Sequence, residues 1–437
     1  MKFLFSSRCI NIILSAIALV AILLFIITGK NHLLYDEFNF VPNILLLDKE
    51  GFTKTFLLKS HGSPGPLYPV YQHLFYNAHA FNIMSVRLAN YFLMIILLFF
   101  IFLTSRLLGY KDPLILSLNF IIIPFTWVFC GLGLTEIPAM TCAMIGFYLF
   151  LKGFITDIKY VYKLLYVFIG GAFFSFAILG RSFYLMVIIA MLLWLTVYLF
   201  QERFISIIQK KRLWYFSTKK QALILITVLV ISSLIAPLMV FYIWGGLTPP
   251  LGTEAVGANK LKIVPWYGIL AFAYSGFIAL LLAPSWFVAK KKFLLFFLGC
   301  TILLIIANIF LKIVEFAPLR TAISRIIPSQ LFLYYGYILP GILASLAAYF
   351  IFSTVIRLYT RRLDKIYLLT GLIAMLIVFS TIKVTTQFSS RYVGQVLPFF
   401  ILLFAPYEKT NWTKIFRMII GLVIGFLSLS SYYSGNY

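Results

Sequence analysis

The sequence predicts an all-α protein that crosses a membrane many times. Of its 437 residues, 62% are hydrophobic and only 11% are charged, whereas a soluble domain would carry about 25% charged residues. Long apolar segments recur along the whole chain, and many approach the roughly 20 residues that a helix needs to cross a bilayer core. Because lipid cannot pair with backbone polar groups, these segments are expected to be helices.

Thirteen apolar segments are candidate spans of one membrane domain that covers residues 1–437. The first follows Lys2 and Arg8 as a signal peptide would, but no small-residue cleavage site precedes a soluble domain, so we interpret it as an uncleaved span. Short connections near Gly131–Thr135 and at Arg181 put the final count at about 11–13. The thirteen segments are residues 10–28, 83–104, 113–131, 136–151, 164–180, 182–200, 221–243, 266–288, 293–313, 331–354, 366–382, 392–406 and 416–433.

The basic residues predict the orientation of the chain. If the N-terminus is cytoplasmic, most of the 36 Lys and Arg residues fall in cytoplasmic segments, as the positive-inside rule requires. Residues 201–220 are then a basic cytoplasmic loop, and residues 29–82 and 244–265 are the two sizeable external loops. Because the cations flank membrane segments, the net charge of +24 does not indicate nucleic-acid binding.

Neither the cysteines nor the histidines predict a metal site. The four cysteines lie in or near apolar segments without a CxxC pair, which is typical of small core residues. His73 and His79 are six positions apart, so they would not share a helix face. We therefore expect no metal and no cofactor.

The first external loop carries the acidic pair Asp36 and Glu37. Its apolar stretches Phe38–Leu47 and Pro66–Phe75 are too short to span a bilayer, so they are expected to form helices lying in the membrane interface. Three tyrosines of this loop are expected at the level of the lipid headgroups: Tyr68, Tyr71 and Tyr76.

The acidic pair has two interpretations. Asp36 could cap the helix that begins near Phe38, with Glu37 interacting favourably with the helix dipole. Alternatively, one of the two carboxylates is a general base that takes a proton from an acceptor hydroxyl.

Charged residues at the outer ends of other spans have a structural and a functional interpretation. Arg87, Arg181 and Arg391 could extend to the headgroups, or they could bind a phosphate, which the guanidinium fork matches. Glu136 could serve only as a carboxylate at a helix start, or it could be a second acid in the site. His61, in a Gly/Pro turn, is a candidate substrate or phosphate contact, and Tyr68 is a further candidate substrate contact.

Short motifs resemble the GT-C-type membrane glycosyltransferases, nearest the dolichyl-phosphate-glucose α-1,2-glucosyltransferase family. Asp36–Pro42 is similar to that family's Asp-Glu-x-x-His-x-Pro, although Asn39 stands near the family's His. Ser63–Tyr68 resembles Thr-Pro-Pro-Gly-Leu-Tyr, and Trp244–Gly246 resembles Trp-Asn-Gly-Gly. Gly180–Ser182 falls where the family has an Arg-rich span start.

A late segment resembles other members of the same superfamily. Ser390–Pro398 is similar to the Arg-Tyr…Pro segment of the protein mannosyltransferases and of the lipid A aminoarabinose transferases. The resemblance implies that Asp36 is the general base and that Glu37 orients it or the acceptor. It also implies that Arg181 and Arg391 bind the phosphate of the sugar carrier and that transfer inverts the anomeric centre.

The resulting hypothesis is a GT-C-type transferase. Its donor would be a polyprenyl-phosphate-linked sugar, and its acceptor a glycan, lipid or protein hydroxyl. The short loops and basic charge favour a bacterial plasma membrane, with the site facing the periplasm, over the endoplasmic reticulum. Two alternatives are a lipid-linked oligosaccharide flippase, which would place charges deep in several spans, and a polysaccharide polymerase or ligase, which would use Arg and His in a late external loop.

Overall fold

A computed structural model describes residues 6–61, 65–75, 82–200, 218–251, 263–311, 328–384 and 388–435. Across these ranges the regular structure is helical and contains no strand, which confirms the predicted all-α class. Eleven helices within them are long and apolar enough to cross a membrane. The protein is therefore a polytopic helical bundle.

Nineteen α-helices lie within the described ranges. In chain order they are α1 (Ser7–Thr28), α2 (Glu37–Phe40), α3 (Pro42–Glu50), α4 (Lys54–Lys59), α5 (Leu67–His73), α6 (Ile83–Leu107), α7 (Pro113–Ile122), α8 (Thr126–Gly131), α9 (Glu136–Ile155), α10 (Tyr160–Gly180), α11 (Leu185–Phe200), α12 (Lys219–Trp244), α13 (Pro265–Leu282), α14 (Lys291–Leu311), α15 (Ser329–Thr360), α16 (Lys365–Phe379), α17 (Ser390–Gly394), α18 (Leu397–Phe404) and α19 (Trp412–Ser434).

The first and last spans lie side by side and identify the two ends. At one end the Ser7 hydroxyl donates to the carbonyl of Thr410 at 3.2 Å, just before α19 begins. At the other end the Tyr433 hydroxyl donates to the carbonyl of Gly131 at 2.7 Å. The second end also carries the loop of residues 29–82, which the sequence predicted to be external, and we call it the loop end.

The span predicted at residues 113–131 is wrong as a continuous helix. It is divided into α7 and α8 around Pro124, which has no N–H to donate and excludes helical backbone at the residue before it. Carbonyls freed by the break are paired by side chains: the Thr126 hydroxyl donates to Phe120 and Ile123, and the Trp127 indole donates to Ile121 at 3.0 Å. These bonds satisfy the backbone where lipid cannot.

The span predicted at residues 392–406 is also divided. Helix α17 ends at Gly394, and α18 begins at Leu397 with Pro398 in its first turn. The eight residues of α18 rise only about 12 Å, well short of the roughly 30 Å bilayer core. The Tyr184 hydroxyl donates to the Gln395 carbonyl in the break at 2.9 Å.

Burial differs strongly among the spans and shows which of them are central. In α9, 72% of the most apolar stretch is buried inside the protein, whereas in α14 only 6% is. Helix α14 packs mainly against α15 and turns its other faces outward. The central span α9 begins with Glu136, so this carboxylate lies at the middle of the loop end.

The apolar stretches of the first external loop are helical. Helices α2 and α3 cover the first stretch, and α5 covers the second. The headgroup prediction is wrong for Tyr68, whose side chain is buried within the protein. Tyr76 lies outside the described residues, as do residues 201–217 and 252–262 of the loops predicted at 201–220 and 244–265.

Candidate functional site

Four charged side chains form one connected cluster at the loop end, which we call the arginine–carboxylate cluster: Asp36, Glu136, Arg181 and Arg391. Oε1 of Glu136 accepts from Nε of Arg391 at 2.7 Å and lies 2.6 Å from its Nη2. The same oxygen accepts from Nη2 of Arg181. On its other side Arg391 donates through Nη1 to Oδ2 of Asp36. Negative and positive groups therefore alternate through the cluster.

Exposure within this cluster is uneven. The side chain of Glu136 is fully buried and those of Arg181 and Arg391 are 9% exposed, whereas that of Asp36 is 31% exposed. Three buried atoms of the cluster have no hydrogen-bond partner among the described residues: Nε of Arg181, Oε2 of Glu136 and Nη2 of Arg391. The cluster thus has one accessible carboxylate, that of Asp36, and beside it buried polar atoms that are not hydrogen-bonded within the described residues.

Helix ends and aromatic rings hold the cluster in place. Glu136 is the first residue of α9, where a negative charge is favourable, and Arg181 directly follows α10. Arg391 lies in the first turn of α17, and its N–H is capped by the Ser389 hydroxyl. Both guanidinium groups lie over the Phe40 ring, with centroid distances of 5.9 Å and 5.5 Å.

Glu37 and Arg87 form a separate ion pair beside the cluster. Oε2 of Glu37 accepts from Nη2 of Arg87 and from the Leu34 N–H, both at 2.7 Å. Its Oε1 accepts from Nε of Arg87 at 2.9 Å and from the Gly133 N–H at 2.7 Å. The two side chains are only 0% and 1% exposed. We call this arrangement the Glu37 clamp.

The clamp argues against a direct chemical role for its two members. A carboxylate accepts about four hydrogen bonds, and Glu37 already has four, so no lone pair remains for a substrate proton. Arg87 also donates to the carbonyls of Lys30 and His32 and lies over the Tyr433 ring at 5.2 Å. Within the described residues both side chains pair with other protein groups, and the substrate roles of Glu37 and Arg87 stay predictions.

Backbone conformation at Tyr35 separates the two acids. Tyr35 has φ of 52°, in the left-handed region that residues other than glycine seldom adopt. Directly after this turn, Asp36 contacts Arg391 while Glu37 enters the clamp. Asp36 makes no side-chain cap to α2, so the capping interpretation does not hold.

Side chains from two other helices hold the segment 132–135, which leads directly into Glu136. The Asn90 amide of α6 donates to the carbonyls of Leu132 and Leu134 at 3.0 Å and 2.6 Å. The Tyr68 hydroxyl of α5 donates to the Gly133 carbonyl at 2.6 Å. Burial, with the nearby charge of Glu37, raises the pKa of Tyr68 well above its ordinary value, so the hydroxyl keeps its proton. Tyr68 thus positions this segment.

Asn90 is a site residue that the sequence interpretation missed. Its signal was an amide within an otherwise apolar span, which is costly unless every polar atom is paired. The Asn90 oxygen is paired as well, because it accepts from the Gln72 amide at 3.3 Å.

Two further predicted features lie apart from the cluster. His61 is exposed, and its backbone N–H and carbonyl both pair with the Asn43 side chain at 2.8 Å. No hydrogen bond or ion pair joins the His61 imidazole to the cluster within the described residues, and its substrate contact stays a prediction. Trp244 donates through its indole to the Leu57 carbonyl at 2.8 Å, so it anchors α4.

Residue types that could ligate a metal are dispersed in the part of the chain that the structure describes. No three His, Cys, Asp or Glu residues there lie close enough together to hold an ion. The carboxylates of the cluster are paired with arginines instead.

Comparison with known proteins gives distant structural likeness. No protein-family model matches the chain, and no curated protein matches it significantly. ArnT from Cupriavidus metallidurans is 14% identical, with TM-scores of 0.43 in the apo state and 0.45 bound to undecaprenyl phosphate; the match covers 97% of this chain and 77% of ArnT. An Archaeoglobus fulgidus oligosaccharyltransferase, tethered to an acceptor peptide, is 12% identical with a TM-score of 0.38, covering 100% of this chain and 57% of the enzyme.

At such identities and TM-scores, likeness does not by itself define an activity. None of these findings supports the dolichyl-phosphate-glucose likeness of the short motifs. The chemistry has to be argued from the arginine–carboxylate cluster.

Proposed function

We propose that the protein is a membrane glycosyltransferase that moves a sugar from a polyprenyl-phosphate donor to an acceptor hydroxyl. The observation that carries the proposal is the arginine–carboxylate cluster, in which a partly exposed carboxylate adjoins two nearly buried arginines. A base for the acceptor and cations for a leaving phosphate are the two requirements of such a transfer.

In the proposed reaction Asp36 acts as the general base. The acceptor oxygen attacks the anomeric carbon, and its proton passes to the Asp36 carboxylate. A new carbon–oxygen bond forms on the face opposite the phosphate, so the anomeric centre inverts. The bond to the phosphate oxygen breaks and its electron pair stays on that oxygen, giving a glycoside and the polyprenyl phosphate.

Arg181 and Arg391 would bind the carrier phosphate. Charge develops on the phosphate as it leaves, and buried guanidinium groups stabilise that charge more strongly than water-exposed ones. Nε of Arg181 has no partner among the described residues and is available to a phosphate oxygen. Glu136 accepts a hydrogen bond from each arginine and so fixes their positions relative to each other.

The placement of buried charge favours a transferase over a transporter. Among the described residues, the buried charged side chains lie at or near helix ends rather than in the middle of spans: Glu37, Arg87, Glu136, Arg181 and Arg391 at the loop end, and Lys163, Lys365 and Lys414 at the other. A flippase would need charged groups along a path through the bilayer.

Orientation and motifs add further support. The positive-inside distribution would place the loop end away from the cytoplasm, where sugar donors are lipid-linked. The Asp36–Pro42 and Ser390–Pro398 motifs resemble GT-C-type transferases and carry two members of the cluster.

Native mass spectrometry with undecaprenyl phosphate, the lipid bound by one of the ArnT structures, tests the proposal. The wild-type protein is expected to form a one-to-one complex. Arg391→Met should weaken binding by about tenfold or more, because it removes a charge-assisted hydrogen-bond donor. The matched control Lys59→Met removes a cation from the same end, paired only with Glu50 at the surface, and should bind like the wild type.

Three results would count against this function. Absence of any complex with the wild-type protein would overturn the carrier assignment. Equal losses in Arg391→Met and Lys59→Met would show general charge attraction instead of a site. Sugar transfer by Asp36→Asn at the wild-type rate would show that Asp36 is not the general base. Loss of a general base should lower the transfer rate by about 10²–10⁴-fold.

A further inference from the structure

Two N–H groups of Arg391 are engaged by carboxylates: Nε donates to Glu136 and Nη1 donates to Asp36. Nη2 lies 2.6 Å from the same Glu136 oxygen but has no hydrogen-bond partner among the described residues. A phosphate that binds the guanidinium fork through both Nη2 and Nη1 therefore meets Asp36 at Nη1.

Asp36 is the carboxylate that can leave Arg391. Its side chain is 31% exposed, so water can solvate the carboxylate once it leaves Arg391. Glu136 is fully buried between two arginines, and releasing it would leave an uncompensated buried charge. Because Glu136 still accepts a hydrogen bond from Nε of Arg391, the guanidinium keeps its position when Asp36 departs.

We propose that the donor phosphate and Asp36 compete for Nη1 of Arg391, so that donor binding releases the base. This inference rests on the proposed function and adds an order of binding to it. Before the donor arrives, the Asp36 carboxylate is held by Arg391. After the donor arrives, the phosphate takes that N–H and Asp36 turns to the acceptor hydroxyl.

The exchange makes the base available at the right time. Release from Arg391 frees the carboxylate oxygen of Asp36 to accept the proton of the acceptor hydroxyl when the leaving group is in place. The Glu37 clamp fixes the residue next to Asp36, so the movement needs only a side-chain rotation.

The test is the affinity for undecaprenyl phosphate, titrated in nanodiscs. Asp36→Asn removes the competing carboxylate and should bind the lipid about tenfold more tightly than the wild type, even though it has lost transfer. The matched control Asp48→Asn removes one negative charge from an exposed position of the same loop and should leave the affinity unchanged.

The outcomes separate this inference from the proposed function. Tighter binding by Asp36→Asn alone supports the competition. Equal or weaker binding by Asp36→Asn, with the wild type still binding, overturns the competition and leaves the transferase proposal intact. Equal tightening in both variants also overturns it, because general charge would then explain the gain. Failure of all three proteins to bind overturns the proposed function itself.

Discussion

At the scale of single residues, two adjacent acids have unlike environments. Asp36 is partly exposed and contacts Arg391, whereas Glu37 is fully buried with all its lone pairs occupied. The sequence drew attention to this pair but did not predict that its two side chains enter different environments. The partners that divide it, Gly133 and Arg391, are distant in sequence, and no local pattern shows that they meet the loop.

Glu37→Gln should destabilise the protein strongly. The substitution leaves the Arg87 guanidinium buried without a countercharge, which costs about 3–5 kcal/mol in comparable buried pairs. Denaturant unfolding in detergent measures the change. Glu50→Gln is the control, because Glu50 pairs with Lys59 at the surface, where ion pairs contribute about 0–1 kcal/mol. Similar stabilities for the two variants would contradict the clamp.

At the scale of elements, the segment 132–135 connects the clamp to the arginine–carboxylate cluster. Asn90, Tyr68 and Glu37 hold its backbone, and Glu136 follows at once. Hydropathy predicted the helices on both sides of this segment, since their apolar composition is unmistakable. It did not predict the break at Pro124, because one proline among many apolar residues barely lowers the average hydropathy of a window.

Gly133→Ala should lower both stability and lipid affinity. A Cβ at this position would lie 2.9 Å from Cγ1 of Val86 and 3.1 Å from the Tyr68 hydroxyl, so the segment has to shift. Overpacking of this kind costs about 1–3 kcal/mol, and the shift moves Glu136 away from the arginines. Thermal unfolding and undecaprenyl phosphate binding measure the two effects.

The control for this glycine lies in a peripheral span. Gly299 is in α14, and a Cβ there would meet nothing within 4 Å. Gly299→Ala should therefore leave the affinity for undecaprenyl phosphate unchanged and should not lower stability. Replacing a glycine within a helix should give a small gain in helix stability. Loss of lipid affinity in both variants would show that the effect does not arise from the segment 132–135.

At the scale of the whole molecule, composition predicted most of the architecture. Charge distribution gave an orientation, and the apolar segments correspond to the eleven long helices in the described ranges. What composition could not predict is the lateral order of the spans. The neighbourhood of α1 and α19, and the central place of α9, depend on side-chain packing between segments far apart in the chain.

Cysteine labelling in intact cells tests the orientation. In a variant without the native cysteines, Asp48→Cys should react with a membrane-impermeant maleimide, and Lys409→Cys should react only after permeabilisation. Both positions are exposed, and they lie at opposite ends of the bundle. The reverse pattern would place the arginine–carboxylate cluster in the cytoplasm and contradict the use of an external lipid-linked donor.

The pairing of Asp36 with Arg391 joins residues 355 positions apart. During synthesis, the early loop therefore leaves the ribosome long before its cation does. Until the last spans enter the membrane, a nascent chain has the proposed base but only part of the proposed phosphate site. Under the proposed function, activity would therefore be acquired late in synthesis, and a polypeptide truncated before residue 391 would not transfer sugar from a lipid-linked donor.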